Sequence, residues 1–431
     1  MIDIKNKVVM SLMAYDLQGN QILKIAYEVR DLKAKGEPIG DFTIGDFHGK
    51  EFAIPDELRD RIKLNYDEGY TNYPPSMGTI ELRKAVAQLY SNKLGVPTQP
   101  EEVLVASGTR PLIFAAYAAV IDPGDMVIYG APSWNNNHYC HIMGAFAEDI
   151  VTTPANNFML TEDAIAPHLD RVVLVALNSP QNPSGTMMDP EELYEICRLI
   201  YTENQKRLRR GAKPCYVLYD QVYWMLTHGK KHAHPVDVVP EMKDFCIYTD
   251  GASKNFAGTG LRVGWAVIPP HLVEPMTNII AHMGAWAPKA EQLALASYLP
   301  MEEVVKEYVA GLQKEMKDRL QKVHNTMQEL KDAGLPVDSF EPQGGLFLSL
   351  FLGLKGYLTP NGDMLKTTED IRRYVLHEGK CAFVPFEAFG DNDNIGWFRA
   401  SVSGIARQEL IDSLEQLKKA LKALKLPTKA S

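Results

Sequence analysis

TDGASKNFAGTGLRVGWAV, residues 249–267, sets one lysine, Lys254, and one arginine, Arg262, between two apolar runs at 245–249 and 262–268. Gly251, Ala252, Gly258 and Gly260 surround them, and small residues let a flat ligand approach the backbone closely. A lysine confined near other cations has its pKa lowered, which leaves free amine to form an imine and later to move a proton. The planar fork of Arg262 suits a phosphate dianion. By itself the segment would also suit a surface loop.

The runs on either side extend this pattern. Strands are expected at 103–107, 126–129, 171–177, 215–219, 245–249 and 262–268, several apolar almost throughout, as strands buried on both faces are. Helices are expected at 80–94 behind a Thr79 cap and at 190–209, where Asp189-Pro190 reads as a cap followed by a first-turn proline. The alternation predicts an α/β fold: a large domain with a mostly parallel mixed sheet flanked by helices. From 302 to 331 a long charged amphipathic helix leads into a smaller α+β domain with strands at 345–352, 382–385 and 397–402 and a last helix over 407–424. The expected division is 46–310 for the large domain, and 1–45 with 311–431 for the small one. The natural site is the cleft between them.

Composition narrows the function. The 431 residues are 45% apolar with a formal charge of −9, which provides no global attraction to nucleic acid or an anionic membrane. A small-molecule substrate is expected. Cys140, Cys197, Cys215, Cys246 and Cys381 show neither disulfide nor zinc spacing. The basic run KRLRRGAK (206–213) reads as a solvated helix end, and His232 and His234 lack further ligands nearby, so no metal is expected. The first twenty residues lack the long apolar run of a signal peptide or membrane span, so the expected location is the cytoplasm.

Asp220 ends the apolar run CYVLY, at the strand terminus where open α/β sheets bind ligands. A carboxylate withdrawn from water there needs a cationic partner. A pyridinium nitrogen would serve, and a ring kept protonated in this way accepts electrons from a carbanion.

Together these segments resemble the fold-type I pyridoxal 5′-phosphate (PLP) enzymes, and within them the class I/II aminotransferases, aspartate aminotransferase included. The resemblance rests on Ser253-Lys254 followed by Gly260-Leu261-Arg262-Val263-Gly264-Trp265, on NSPQNPSGT (178–186), YDQVYW (219–224), SGTRPL (107–112), APSWNNNHY (131–139), YTNYPPSMGTIELRKA (70–85), WFRASVSG (397–404) and TIGDFHG (43–49). It implies that Lys254 holds PLP as a Schiff base and acts as general acid/base, with Arg262, Ser107, Gly108 and Thr109 on the phosphate. Asp220 would pair with the pyridinium, Asn182 and Tyr223 would hold the ring phenolate, and Trp134 would stack on the ring. Tyr73 would reach the neighbouring subunit's phosphate in a homodimer with shared active sites. Arg399 would bind the substrate α-carboxylate, with the Gly45 loop closing over it. Where some relatives carry a phosphate-binding serine three residues before the lysine, this chain has Gly251, so Ser253 or Thr249 is considered instead.

The reaction implied is transfer of an amino group from an L-amino acid to a 2-oxo acid such as 2-oxoglutarate. Arg110 stands where some bacterial-type relatives carry a lysine near the distal carboxylate, which points to aspartate or glutamate; a surface arginine is the competing reading. A PLP-dependent lyase or synthase would use the same scaffold. A catalytically silent PLP-binding regulator is a third reading, against which the complete Lys, Asp and Arg set argues.

Overall fold

The computed structural model describes residues 10–17, 19 and 21–426; residues 1–9 of the expected N-terminal part of the small domain lie outside them. Seven strands form the main sheet, in the order Val103–Ala106, Gly264–Val267, Cys246–Gly251, Tyr216–Asp220, Val172–Asn178, Met126–Ala131, Phe146–Val151. All neighbours run parallel except Gly264–Val267, which is antiparallel to both of its partners.

Side chains alternate across this sheet because the strand period is two. Val103, Val105, Val217, Tyr219 and Tyr248 pack on one face with the helices Ile80–Lys93, Pro190–Arg209 and Lys289–Tyr298. Leu104, Ala106, Tyr216, Leu218 and Ile247 pack on the other with Thr109–Val120 and Pro270–Met283. Asp220 continues the series of Tyr216 and Leu218 and so projects on the second face. Thr79 and Asp189 cap their helices, Thr79 Oγ1 accepting from Leu82 N at 3.4 Å and Asp189 Oδ1 from Glu191 N at 2.9 Å. Each such cap stabilises a helix by about 1 kcal/mol.

A separate four-stranded antiparallel sheet runs in the order Val384–Pro385, Trp397–Ser401, Phe347–Leu352, Val337–Ser339. Its core includes Leu312, Met316, Leu320 and Val323 of the helix Glu302–Asp332, together with Leu410, Leu414 and Leu417 of Arg407–Lys422. Val305, at the start of the long helix, belongs to the first core instead.

The structure differs from the sequence expectations in several elements. The strand expected at 382–385 is divided: Cys381–Ala382 pairs in parallel with Gly40–Asp41, while Val384–Pro385 pairs with Trp397–Ser401. The switch falls at Phe383, buried against Phe42 at 5.1 Å between ring centroids. The edge strand Phe146–Val151 is not legible in the sequence because an edge strand with one neighbour lacks the apolar run of a buried one; Phe146 is 67% exposed. The short strand Val337–Ser339 and the helices Gln21–Ala34, Pro270–Met283, Lys289–Tyr298 and Thr368–His377 are further elements beyond those expected.

The basic run is more structural than expected. Arg207 is buried, donating to the carbonyls of Val172 (2.8 Å), Lys213 (3.2 Å) and Leu169. Lys213 bridges Asp122 and Asp125. His232 and His234 are buried, the first within 3.0 Å of Gln221 Oε1 and the second accepting from Val236 N at 3.1 Å. All five cysteines are free and buried. Among the described residues no helix is long and apolar enough to cross a membrane.

Candidate active site

One cleft is lined by Gly45, Thr109, Arg110, Trp134, Asn182, Asp220, Tyr223, Ser253, Lys254, Arg262 and Arg399. Residues from seven separate stretches of chain therefore meet in one place.

Lys254 sits on the single helical turn Ala252–Asn255, which follows the strand Cys246–Gly251 directly. Its Nζ donates to the Gly45 carbonyl oxygen. Withdrawal from water pulls its pKa down to about 8; Asp46 opposes the shift, while Arg399, Arg110 and Arg262 add to it. The conditions for a free amine near neutral pH are thus met by both burial and neighbouring cations.

Asp220 accepts from Thr249 Oγ1 and from Val222 N, each at 3.3 Å. Among the described residues no ion pair includes it. Without a cation, burial raises its pKa to about 6. Thr249 is fully buried and its hydroxyl is directed to Asp220, so of the two phosphate-binding alternatives only Ser253 lines the cleft. The glycine in place of a serine also has a steric reason: a Cβ on Gly251 would stand 2.8 Å from both Gly264 Cα and the Val263 oxygen.

At the other end of the cleft the chain turns from the strand Val103–Ala106 into the helix Thr109–Val120 through Gly108, at φ +92°. Arg262 Nη2 donates to the Ser107 oxygen at 2.9 Å and Nη1 to the Thr259 oxygen at 2.8 Å. A helix start beside an exposed guanidinium attracts an anion through both its unpaired N–H groups and the charge. Gly264 permits this arrangement, since a Cβ there would stand 2.6 Å from Thr109 N.

Arg399 is 2% exposed and lies between two rings, 4.6 Å from that of Phe347 and 4.8 Å from that of Phe389. Nη1 donates to Asn182 Oδ1 at 2.8 Å and Nη2 to the Thr43 oxygen. Burial lowers its pKa to about 10, so it stays cationic at neutral pH. Tyr223 is buried edge-on to Phe347 at 5.6 Å, and its phenol pKa is pushed up by burial. The Arg110 guanidinium lies 5.0 Å from the Trp134 ring.

Tyr73 is not part of this lining. It is 83% exposed and meets Trp286 edge-to-face at 5.2 Å. Other residues entered the cleft unforeseen. Asn178 Oδ1 accepts from Asn182 N at 2.8 Å, and Asp46 Oδ1 accepts from Thr259 Oγ1 at 2.6 Å; both lie inside quoted motifs. Ile22, Leu23 and Ala26 form an apolar wall from the helix Gln21–Ala34, and only tertiary packing brings that helix there.

Comparison with known proteins gives a consistent result. A family model described as aminotransferase class I and II matches residues 38–417. The aspartate aminotransferase of Streptomyces avermitilis is 27% identical over 94% of each chain. The probable aspartate/prephenate aminotransferase of Aquifex aeolicus is 25% identical over 95% of this chain and 97% of its own. Among solved structures, the aspartate aminotransferase from Rhizobium meliloti superposes with a TM-score of 0.86 at 26% identity, covering 96% of this chain and 99% of the other.

Proposed function

Because this chain belongs to the class I and II aminotransferases, which are PLP-dependent, we propose that it transfers the amino group of an acidic L-amino acid, aspartate or glutamate, to 2-oxoglutarate. The observation that carries the reading is a cleft with Lys254, Asp220 and Arg399 around its walls and a second cation, Arg110, at Trp134. The names of the relatives support the substrate class.

The cleft fits PLP. Asp220 is a half-buried carboxylate without a cation, and a pyridinium nitrogen would neutralise it. Thr109 at the helix start, Ser107, Gly108, Ser253 and Arg262 would hold the phosphate, with Trp134 against the ring and Asn182 and Tyr223 on its phenolate oxygen. When bound, PLP supplies an electron-accepting ring that takes up the charge left at the substrate Cα. Arg399 binds the α-carboxylate through its fork. Lys254 Nζ would take the substrate Cα proton and hold it for return, and Asp220 would hold its carboxylate toward the ring nitrogen. The loop at Gly45, tied to Arg399 through Thr43, shields these transfers from water.

In this reading residues 46–310 form the large domain, and residues 1–45 with 311–431 the small one that closes over the site. The exposed Tyr73, braced by Trp286, serves the phosphate site of a second copy, so the active form is a homodimer. Five free cysteines support a cytoplasmic location.

The substrate class is tested by Arg110→Ala. Its kcat/KM for aspartate is expected to fall about 10- to 100-fold, the scale of a lost charge-assisted hydrogen bond, with phenylalanine changed less than about twofold. An equal loss for both substrates would remove the distal-carboxylate role.

The phosphate end has its own test. A Cβ on Gly108 would stand 2.3 Å from Arg262 Nη2, at a φ that side chains rarely adopt. In Gly108→Ala, PLP affinity measured by fluorescence titration should weaken by about tenfold or more, given roughly 1–2 kcal/mol of left-handed strain and a displaced guanidinium. Unchanged affinity would separate this turn from the phosphate.

A further inference from the structure

On the sheet face opposite Asp220 lies a second carboxylate. Asp250 is completely buried, and its two oxygens divide four donors between them. Oδ1 accepts from Gly251 N (2.6 Å) and Asn255 Nδ2 (2.9 Å). Oδ2 accepts from Trp224 Nε1 (2.6 Å) and Tyr90 Oη (3.1 Å), and Tyr90 Oη in turn accepts from Trp265 Nε1 (2.8 Å).

The division has a direct bearing on the cleft. Gly251 and Asn255 bracket the four-residue turn that carries Lys254, and a turn that short does not hold itself together in isolation. Asn255 directs its amide donor to Asp250 although its own buried oxygen has no partner among the described residues. Trp224, on the other oxygen, is the neighbour of Tyr223. A carboxylate without a cation is a costly way to fill a core, and hydrophobic packing would fill it more cheaply. What an all-acceptor group adds is a junction between two loops that each present a cleft residue.

We propose that Asp250 is a positioning residue, which holds the Lys254 turn and the Asp220–Tyr223 segment in register from behind the sheet. This rests on the roles of Lys254 and Tyr223 proposed above. It also accounts for an acidic residue four positions before the lysine, where the substrate never reaches. Burial raises the pKa of Asp250 to about 7, in accord with its having no cationic partner among the described residues.

Asp250→Asn keeps the shape and replaces one acceptor oxygen by an NH2 that faces two donors, so one pair must open. Expected are a folded protein by circular dichroism, a kcat lowered about 10- to 100-fold, as small misplacements of reacting groups produce, and a KM for the amino acid within about twofold, because Arg399 is untouched. A second readout uses the protein without PLP: acylation of Lys254 by an amine reagent, followed against pH by peptide mass spectrometry. Its midpoint should rise from near 8 toward the ordinary lysine range as the loosened turn lets Nζ reach water. Asp46, Arg399, Arg110 and Arg262, the charged groups around Nζ, are unchanged.

Asn255→Ala should shift that midpoint, and Trp224→Phe should lower kcat without shifting it. A merely structural role would lower the melting temperature and move neither readout. Folded Asp250→Asn with native kcat and midpoint overturns the proposal; if that variant does not fold, native values of both readouts in the two single-donor variants overturn it equally. A Lys254→Ala protein that still turns over would show instead that the lysine reading had failed.

Discussion

Alanine at Lys254 is expected to reduce turnover by more than about 10⁴-fold and to abolish the visible absorbance of lysine-bound PLP. Proton transfer by a positioned side chain is alone worth about 10²- to 10⁴-fold, and this side chain is also the point of covalent attachment. The effect should be chemical rather than structural. The loop that Lys254 touches remains fastened by Arg399 to the Thr43 oxygen, by Ser401 to the Ile44 oxygen at 2.8 Å and by Thr259 to Asp46 at 2.6 Å. The melting temperature should therefore stay within a few degrees of the parent. In the unsubstituted protein, the rate of PLP uptake should climb with pH and reach half its maximum near 8, because only the neutral amine attacks and burial has lowered the Lys254 pKa to that value. Substantial turnover by the alanine variant, or a midpoint near 10, would contradict this assignment.

Asp220→Asn is expected to separate activity from stability. Losing the carboxylate removes the partner that keeps the ring nitrogen protonated, and kcat should fall by roughly two to three orders of magnitude, the scale of removing one group aimed at developing charge. Without PLP the same substitution should stabilise the protein. The Asp220 pKa is raised in the fold, to about 6 from 3.8, so the native state holds this proton more tightly than the unfolded chain. The stability from that proton is present at low pH and is lost as pH rises through 4 to 6. Asparagine does not titrate. The melting temperature of Asp220→Asn minus that of the parent, both free of PLP, should thus increase across that interval and level off above it. A constant difference would mean that Asp220 is already neutralised by the protein itself.

Much of the cleft could be read from the chain. Asp220 ends a strand, Lys254 and Asn182 follow the ends of two others, and Arg399 lies within Trp397–Ser401. Thr249 shows where such reading stops. Its spacing from Lys254 left the phosphate open as a partner, but strand register sets it beside Asp220, and its hydroxyl goes there. Gly251 is similar: the missing serine looked like a departure from the family pattern, and the backbone at Val263 and Gly264 leaves no room for a side chain.

The apolar runs and the helix caps at Thr79 and Asp189 determined the α/β class and the principal strands. These depend on hydrophobic periodicity and local hydrogen bonding, which act over a few residues. Tertiary structure alone decided that helix Gln21–Ala34 walls the cleft, that Arg110 lies over Trp134, and that Asp250 joins two loops behind the sheet. Those contacts link residues far apart in the chain, and the direction in which a side chain leaves its strand or helix is settled only when the packed elements around it leave one place to go.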